Sequence, residues 1–242
     1  MGKGVQEDDS SSPSDNLKLV QAERTGTGGE RIKLRFSDGS CFFVHEGDLR
    51  EVGISALALV PPLELSAEMI HHLKHRSLVR QVREKALELL AGAPHTTFAL
   101  RMKLLKRGFE SLSVEEVLQS LKRQEYLDDQ RYAEQWLRSR SERRPEGRAV
   151  LVAGLLRKGV SREIAEGSVS RYLTPALERE NALRALEKLR RAGETDPDRL
   201  KGKLRARGFS FPLIRRVVEG REEDNGSQVE GGEQAEGGRR EE

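Results

Sequence analysis

LRMKLLKRG, residues 100–108, is the stretch on which the fold turns. Leu100 and Leu104 stand four apart and share one face of a helix. Gly108, four residues further on, suits the left-handed residue at which a helix stops, and Arg107 just before it is a cation at the end the helix dipole favours. The same spacing returns as LVAGLLRKG at 151–159 and LKGKLRARG at 200–208. Each copy has leucines eight and four residues before a glycine and a base directly before it: Arg107, Lys158 and Arg207. Gly108, Gly159 and Gly208 are 51 and 49 residues apart, so a unit of about fifty residues is used three times in succession.

Working outward, each glycine is followed by a new helix start. Ser113 with Glu116 reads as a capping box ahead of Val114, Val117, Leu118 and Leu121; Ser161 precedes Ile164, Val169 and Tyr172; Ser210 with Pro212 precedes Ile214, Val217 and Val218. Each leucine helix is also preceded by an amphipathic one. The first carries Val82, Ala86, Leu89 and Leu90, the second is YLDDQRYAEQWLRSR at 126–140, and the third begins at Thr174-Pro175, an N-cap followed by proline at the first helical position. The unit is a helix triplet.

In YLDDQRYAEQWLRSR, Asp128 or Asp129 stands where an N-cap belongs. Leu127 and Tyr132 are placed as a hydrophobic staple, and Tyr132, Trp136 and Leu137 form one face. The aspartates thus start a helix, and with no nucleophile or histidine beside them they make no acid–base pair. His71 and His75 are four apart, as metal ligands can be, but no third ligand follows, and there is no phosphate loop, no nucleophile-elbow motif and no cysteine cluster. No enzyme, cofactor or metal is expected.

Upstream of the repeats, residues 17–44 alternate as strands do. LKLVQAER leads to the turn GTGG, then Ile32, Leu34 and Phe36 alternate with Arg and Lys, and Ser37-Asp38-Gly39 turns the chain into Cys41–Val44. A three-stranded meander is expected, with the glycines at 26, 28 and 29 as a hairpin turn, because no Gly-Lys-Ser/Thr follows them. The full division is an acidic disordered tail at 1–16, a β-rich region at 17–62, a linker helix with the first triplet at 63–125, triplets at 126–173 and 174–220, and an acidic disordered tail at 221–242. The fold class is mainly α, three tandem three-helix repeats in an elongated curved stack with a small N-terminal β-hairpin or meander region.

Charge is unevenly spread along the 242 residues. The two tails carry net charges of −3 and −5, so a chain of formal charge +3 concentrates about +11 on residues 17–220, enough to attract a polyanion or an acidic protein surface. Hydrophobic residues are 36% and aromatics 5%, which suits thin helical layers rather than one thick core. Cys41 is alone, so a reducing setting is natural, and with no signal-peptide pattern and no apolar run of spanning length the protein is expected in the cytoplasm, off the membrane.

Arginine carries the excess. From Arg138 through Arg140, Arg143 and Arg144 to Arg148 the chain reads RSRSERRPEGR, and the leucine-helix ends add Lys106 and Arg107, Arg157 and Lys158, and Arg205 and Arg207. In a repeat these cations recur at equivalent places and so suit a partner that itself repeats. Few aromatics remain outside the expected core, so a base-stacking platform is poorly supported.

YLDDQRYAEQWLRSR, the helix ends LLKRGF and LLRKGV, and RGFSFPLIRRVVEG together resemble the bacterial regulatory protein RecX family over residues 75–220. The third unit departs from the pattern at Pro212 and at the GETDPD connection. The resemblance implies a monomeric modulator of the RecA recombinase that lodges in the RecA filament on single-stranded DNA, with weak direct DNA binding at most. It implies inhibition of ATP hydrolysis, strand exchange and coprotease activity. The basic residues named above are the expected contacts. The alternative on the residues alone is a helical protein that binds DNA directly through helix-turn-helix-like units, or else a general helical scaffold.

Overall fold

Alternation at Ile32, Leu34 and Phe36 builds a strand, and its neighbours build a sheet. In the computed structural model, which describes residues 17–25 and 30–220, β1 is Leu17–Thr25, β2 is Arg31–Phe36 and β3 is Cys41–His45. The acidic ends and the hairpin turn expected at 26, 28 and 29 lie outside the described residues. At the second turn Asp38 accepts the Ser40 amide at 2.9 Å and Gly39 takes a φ of 82°. The expected three-stranded meander gains a fourth strand, β4, Leu63–Leu65, which pairs antiparallel with β1 to give the order β3-β2-β1-β4. The β region therefore runs past residue 62, and a strand of three residues is too short to show alternation. Leu19, Ile32, Leu34, Phe36, Val44 and Leu65 face one core, which α1 (Glu46–Glu51) closes with Leu49 and α2 (Ala67–Gly92) with Ile70 and Leu73.

The expected linker helix and first helix of the repeat are one continuous helix of 26 residues, α2, capped by the Ser66 hydroxyl on the Met69 amide at 3.2 Å. Its first half buries Ile70, Leu73 and Ser77, and its second half buries Val82 and Ala86. At 3.6 residues per turn these stripes lie on roughly opposite sides. The first serves the sheet and the second serves the first triplet, so no single apolar face runs the length of the helix.

That triplet continues with α3 (Thr97–Leu105) and α4 (Ser111–Arg123). The second is α5 (Asp129–Arg143), α6 (Arg148–Arg157) and α7 (Arg162–Tyr172), and the third is α8 (Pro175–Arg191), α9 (Pro197–Ala206) and α10 (Phe211–Glu219). The six repeat leucines, at 100, 104, 151, 155, 200 and 204, are all buried. Each contributes about 2 kcal/mol of apolar burial. Gly108, Gly159 and Gly208 take φ values of 83°, 82° and 86°, the left-handed conformation a helix stop requires. After Gly159 and Gly208 the next amides, of Val160 and Phe209, reach back to the carbonyls of Leu155 and Leu204 at 3.2 and 3.4 Å, which completes the stop.

The caps divide into those found and one displaced. Ser161 accepts the Ile164 amide at 3.3 Å and Thr174 the Leu177 amide at 3.2 Å, with Pro175 next. Ser210 stands at the N-cap of α10 without a side-chain cap bond. The Ser113–Glu116 capping box does not form: α4 starts three residues earlier than expected, with Glu110 at the N-cap, which sets Ser113 one turn before Val117 on the buried face, where its hydroxyl has no partner. The described residues fall into two compact units, one of those up to 135 together with 155–165, the other of 136–154 together with 166–220.

Candidate functional site

The repeat joints fix which cations are held and which are free. In the first unit the Thr96 hydroxyl accepts the Ala99 amide at 3.0 Å and donates to the Lys158 carbonyl at 2.7 Å, so the start of α3 is tied to the end of α6. The two aspartates of YLDD separate here. Asp128 caps its own helix through the Gln130 and Arg131 amides at 2.8 and 3.1 Å. Asp129 accepts the Thr97 amide at 2.7 Å and so caps α3 instead. Tyr132 is half-buried, which pushes its phenol above its ordinary pKa.

The second unit repeats the device with different atoms. The Gly147 amide donates to the Arg207 carbonyl at 2.9 Å, the Ala149 amide to the Gly208 carbonyl at 3.3 Å, and Glu178 of α8 accepts the Arg148 amide at 3.2 Å, as Asp129 does for α3. Trp136 lies against Gly154 of α6 so closely that a Cβ there would overlap its ring. An aromatic thus fills the space a small residue leaves.

Within RSRSERRPEGR the arginines have different duties. Arg140 grips Glu146 with two hydrogen bonds of 2.7 and 2.9 Å and lies 5.1 Å from the Trp136 ring, which holds the loop into α6. Arg148 donates to the Ser170 hydroxyl at 2.8 Å and to the Leu173 carbonyl at 3.4 Å, closing the end of α7. Arg138, Arg143 and Arg144 are exposed, and their side chains have no hydrogen bond or ion pair among the described residues. Two adjoining clefts share Arg143 and Arg144. One, of about 310 Å³, is completed by Trp136, Ser139 and Arg140; the other, of about 360 Å³, by Pro145, Glu146, Lys188 and Arg207.

This second cleft gathers four cations around one carboxylate, and Arg140 already neutralises that carboxylate. Such a site favours an anion, and its guanidinium forks suit phosphate or carboxylate oxygens. Arg207 is partly committed, donating to the Ala185 carbonyl at 3.3 Å. Lys188, in the last turn of α8, was not singled out from sequence; only its place beside the Arg143–Arg144 loop in the fold marks it.

At the other leucine-helix ends, Arg107 donates to the Lys103 carbonyl of its own helix at 3.1 Å. Lys106, Arg157, Lys158 and Arg205 are exposed and their side chains have no partner among the described residues. Arg101 pairs with Glu115, and Lys203 with Glu194 at 2.5 Å. His75 lies 2.8 Å from Glu116 rather than facing His71, and no cluster of three or more His, Cys, Asp or Glu suited to a metal occurs among the described residues. Among the same residues no helix is long and apolar enough to cross a membrane.

Sequence profiles of the RecX first and second three-helix domains match residues 83–121 and 128–167. The regulatory protein RecX of Treponema pallidum is 46% identical over 133 residues, covering 55% of this chain and 80% of the relative. That of Chlorobium limicola is 34% identical over 134 residues, covering 55% and 84%. A crystal structure of regulatory protein RecX superimposes with a TM-score of 0.68 at 20% identity, over 84% of this chain and 99% of that one. RecX from Lactobacillus salivarius gives 0.55 at 23%, over 59% and 96%. At these identities the two structures bear on the fold.

Proposed function

This chain belongs to the RecX family of regulatory proteins, and from that premise we propose that it is a non-enzymatic regulator that binds the RecA recombinase filament on single-stranded DNA and mainly inhibits its ATPase, strand-exchange and coprotease activities. The observation that carries the reading is the cleft where the unpaired Arg143 and Arg144 meet Lys188 and Arg207. Its cations have no anion of their own and would take one from the filament, whether acidic side chains of the recombinase or the DNA within it. A ligand of this kind shifts a filament between states by no more than its difference in affinity for them, so inhibition follows if the cleft fits a state that does not turn over. The protein acts in the cytoplasm as a monomer.

The test is RecA ATPase activity on single-stranded DNA with the wild-type chain and with Arg143→Glu/Arg144→Glu/Lys188→Glu. Arg148 and Arg140 are left intact because they hold α7 and the loop. The triple variant is expected to keep its helical circular dichroism and to lose at least tenfold in inhibitory potency. Unchanged inhibition would reject the cleft as the contact. Tight binding of bare DNA with a steep salt dependence, and no effect on the recombinase, would favour the direct DNA-binding alternative.

A further inference from the structure

The sheet has a face that the helical repeats do not explain. Ile32, Leu34 and Phe36 of β2 point into the core, so Arg31, Lys33 and Arg35 project from the opposite face. The register places Thr25, Arg31 and His45 in one cross-strand row, Glu23, Lys33 and Phe43 in the next, and Gln21, Arg35 and Cys41 in the third. β2 is flanked by β1 and β3, so its outward column is a line of three cations, every second residue, about 6.6–6.8 Å apart.

An antiparallel sheet with one wet face gains from opposite charges across its strands. Here Glu23 is the one acid among the nine positions, and it accepts from Gln21 at 2.5 Å. Lys33 and Arg35 form no hydrogen bond or ion pair through their side chains among the described residues. The guanidinium of Arg31 lies 4.1 Å from the centroid of the half-buried Phe43 ring, rather than on a carboxylate. The face thus holds a line of three cations against one registered acid, Glu23 opposite Lys33, with Glu30 3.0 Å from His45 at the end of the Arg31 row, beside an arginine–aromatic stack.

We propose that this outer face of the β1–β2–β3 sheet is a binding site for single-stranded nucleic acid, distinct from the basic cleft. The phosphates of one strand run along β2 against Arg31, Lys33 and Arg35. An unpaired base packs on the Arg31–Phe43 stack, where guanidinium and ring offer flat faces that accept any base. A single strand is favoured over a duplex on two grounds. The cations form one line, matching one phosphate chain, and the bases of a duplex are stacked on each other and unavailable to Phe43. An acidic peptide would satisfy the column alone and gain nothing from the aromatic.

The experiment uses the full chain with no recombinase present, so it is independent of the inhibition assay: fluorescence anisotropy of a labelled oligo-dT at several salt concentrations. Lys33→Gln/Arg35→Gln is expected to lower affinity at low salt at least tenfold and to flatten the plot of log K against log salt by about 1.4, from two lost phosphate contacts. Phe43→Leu is expected to weaken binding a few-fold with the salt slope unchanged. Circular dichroism checks the sheet in both variants, and should Phe43→Leu disturb it, Arg31→Lys, which keeps the charge but removes the flat guanidinium, reports on the same stack with the slope unchanged. The cleft triple variant is expected to leave the effect of the sheet substitutions intact. Wild-type affinity and slope in Lys33→Gln/Arg35→Gln would overturn the proposal. So would equal binding of a duplex of the same length, or poly-glutamate competing as well as oligo-dT.

Discussion

The turn that ends α3 and the turns that end α6 and α9 share a local code but not their surroundings. Gly108, Gly159 and Gly208 have φ values within a few degrees of one another, and each amide closes on the carbonyl three residues back at 2.9 Å. Yet nothing lies within 4 Å of a Cβ built on Gly108, whereas on Gly159 it would overlap Phe98 of α3 and on Gly208 it would sit 2.5 Å from the Val150 amide nitrogen of α6. One glycine answers to the backbone alone. The other two also let the next triplet's turn press against the start of a leucine helix.

The largest effects should come from filling the crowded turns. Gly208→Ala adds a left-handed penalty of roughly 1–2 kcal/mol and an overlap with main chain that no rotamer change relieves, worth roughly 1–3 kcal/mol more. Gly159→Ala meets the Cβ and ring of Phe98 and should behave alike. Each is expected to lower the melting temperature by about 10 °C in a thermal scan followed by circular dichroism. If either melts within a degree or two of wild type, the joints are looser than described and the contrast with Gly108 fails.

The next effects sharpen the contrast between the joints themselves. The second joint is entered through Glu146, buried and gripped by Arg140, so Arg140→Ala leaves a carboxylate unpaired and should cost about 3 kcal/mol in urea unfolding. The first joint uses a hydroxyl instead. Thr96→Val keeps the shape but loses both the cap and the bond to the Lys158 carbonyl, for about 1–2 kcal/mol, and Thr96→Ser should recover most of it. Equal losses for Ser and Val would show that the methyl rather than the hydroxyl matters there.

What was legible in the sequence is what repeats locally. The buried leucines, the three stops and the caps at Asp128, Ser161 and Thr174 follow from spacings of three and four, which a helix turns into one face. What was not legible depends on partners brought together by the fold. Asp129 serves Thr97, 32 residues before it, and Lys188 joins Arg143 and Arg144 only through the packing of α8. Helix α2 hid its continuity because its two apolar stripes face different cores, and β4 hid because three residues show no period. All the arginines from Arg138 to Arg148 were expected contacts, but Arg140 and Arg148 are fixtures while Arg143 and Arg144 are available.

The smallest effect should come from Gly108→Ala, and it carries the most information about the comparison. The added methyl meets no atom, so the loss reduces to the cost of an L-residue at a φ of 83°, offset by the lower chain entropy of alanine when unfolded. About 1 kcal/mol is expected, a melting shift of a few degrees. Gly108→Asn, which tolerates the left-handed region better, should cost less still. At Gly159 and Gly208 the order should reverse, with Asn worse than Ala because the larger side chain enters the joint. If Asn proved milder than Ala at all three glycines, backbone conformation alone would account for the repeat, and the crowding at the two joints would have no energetic weight.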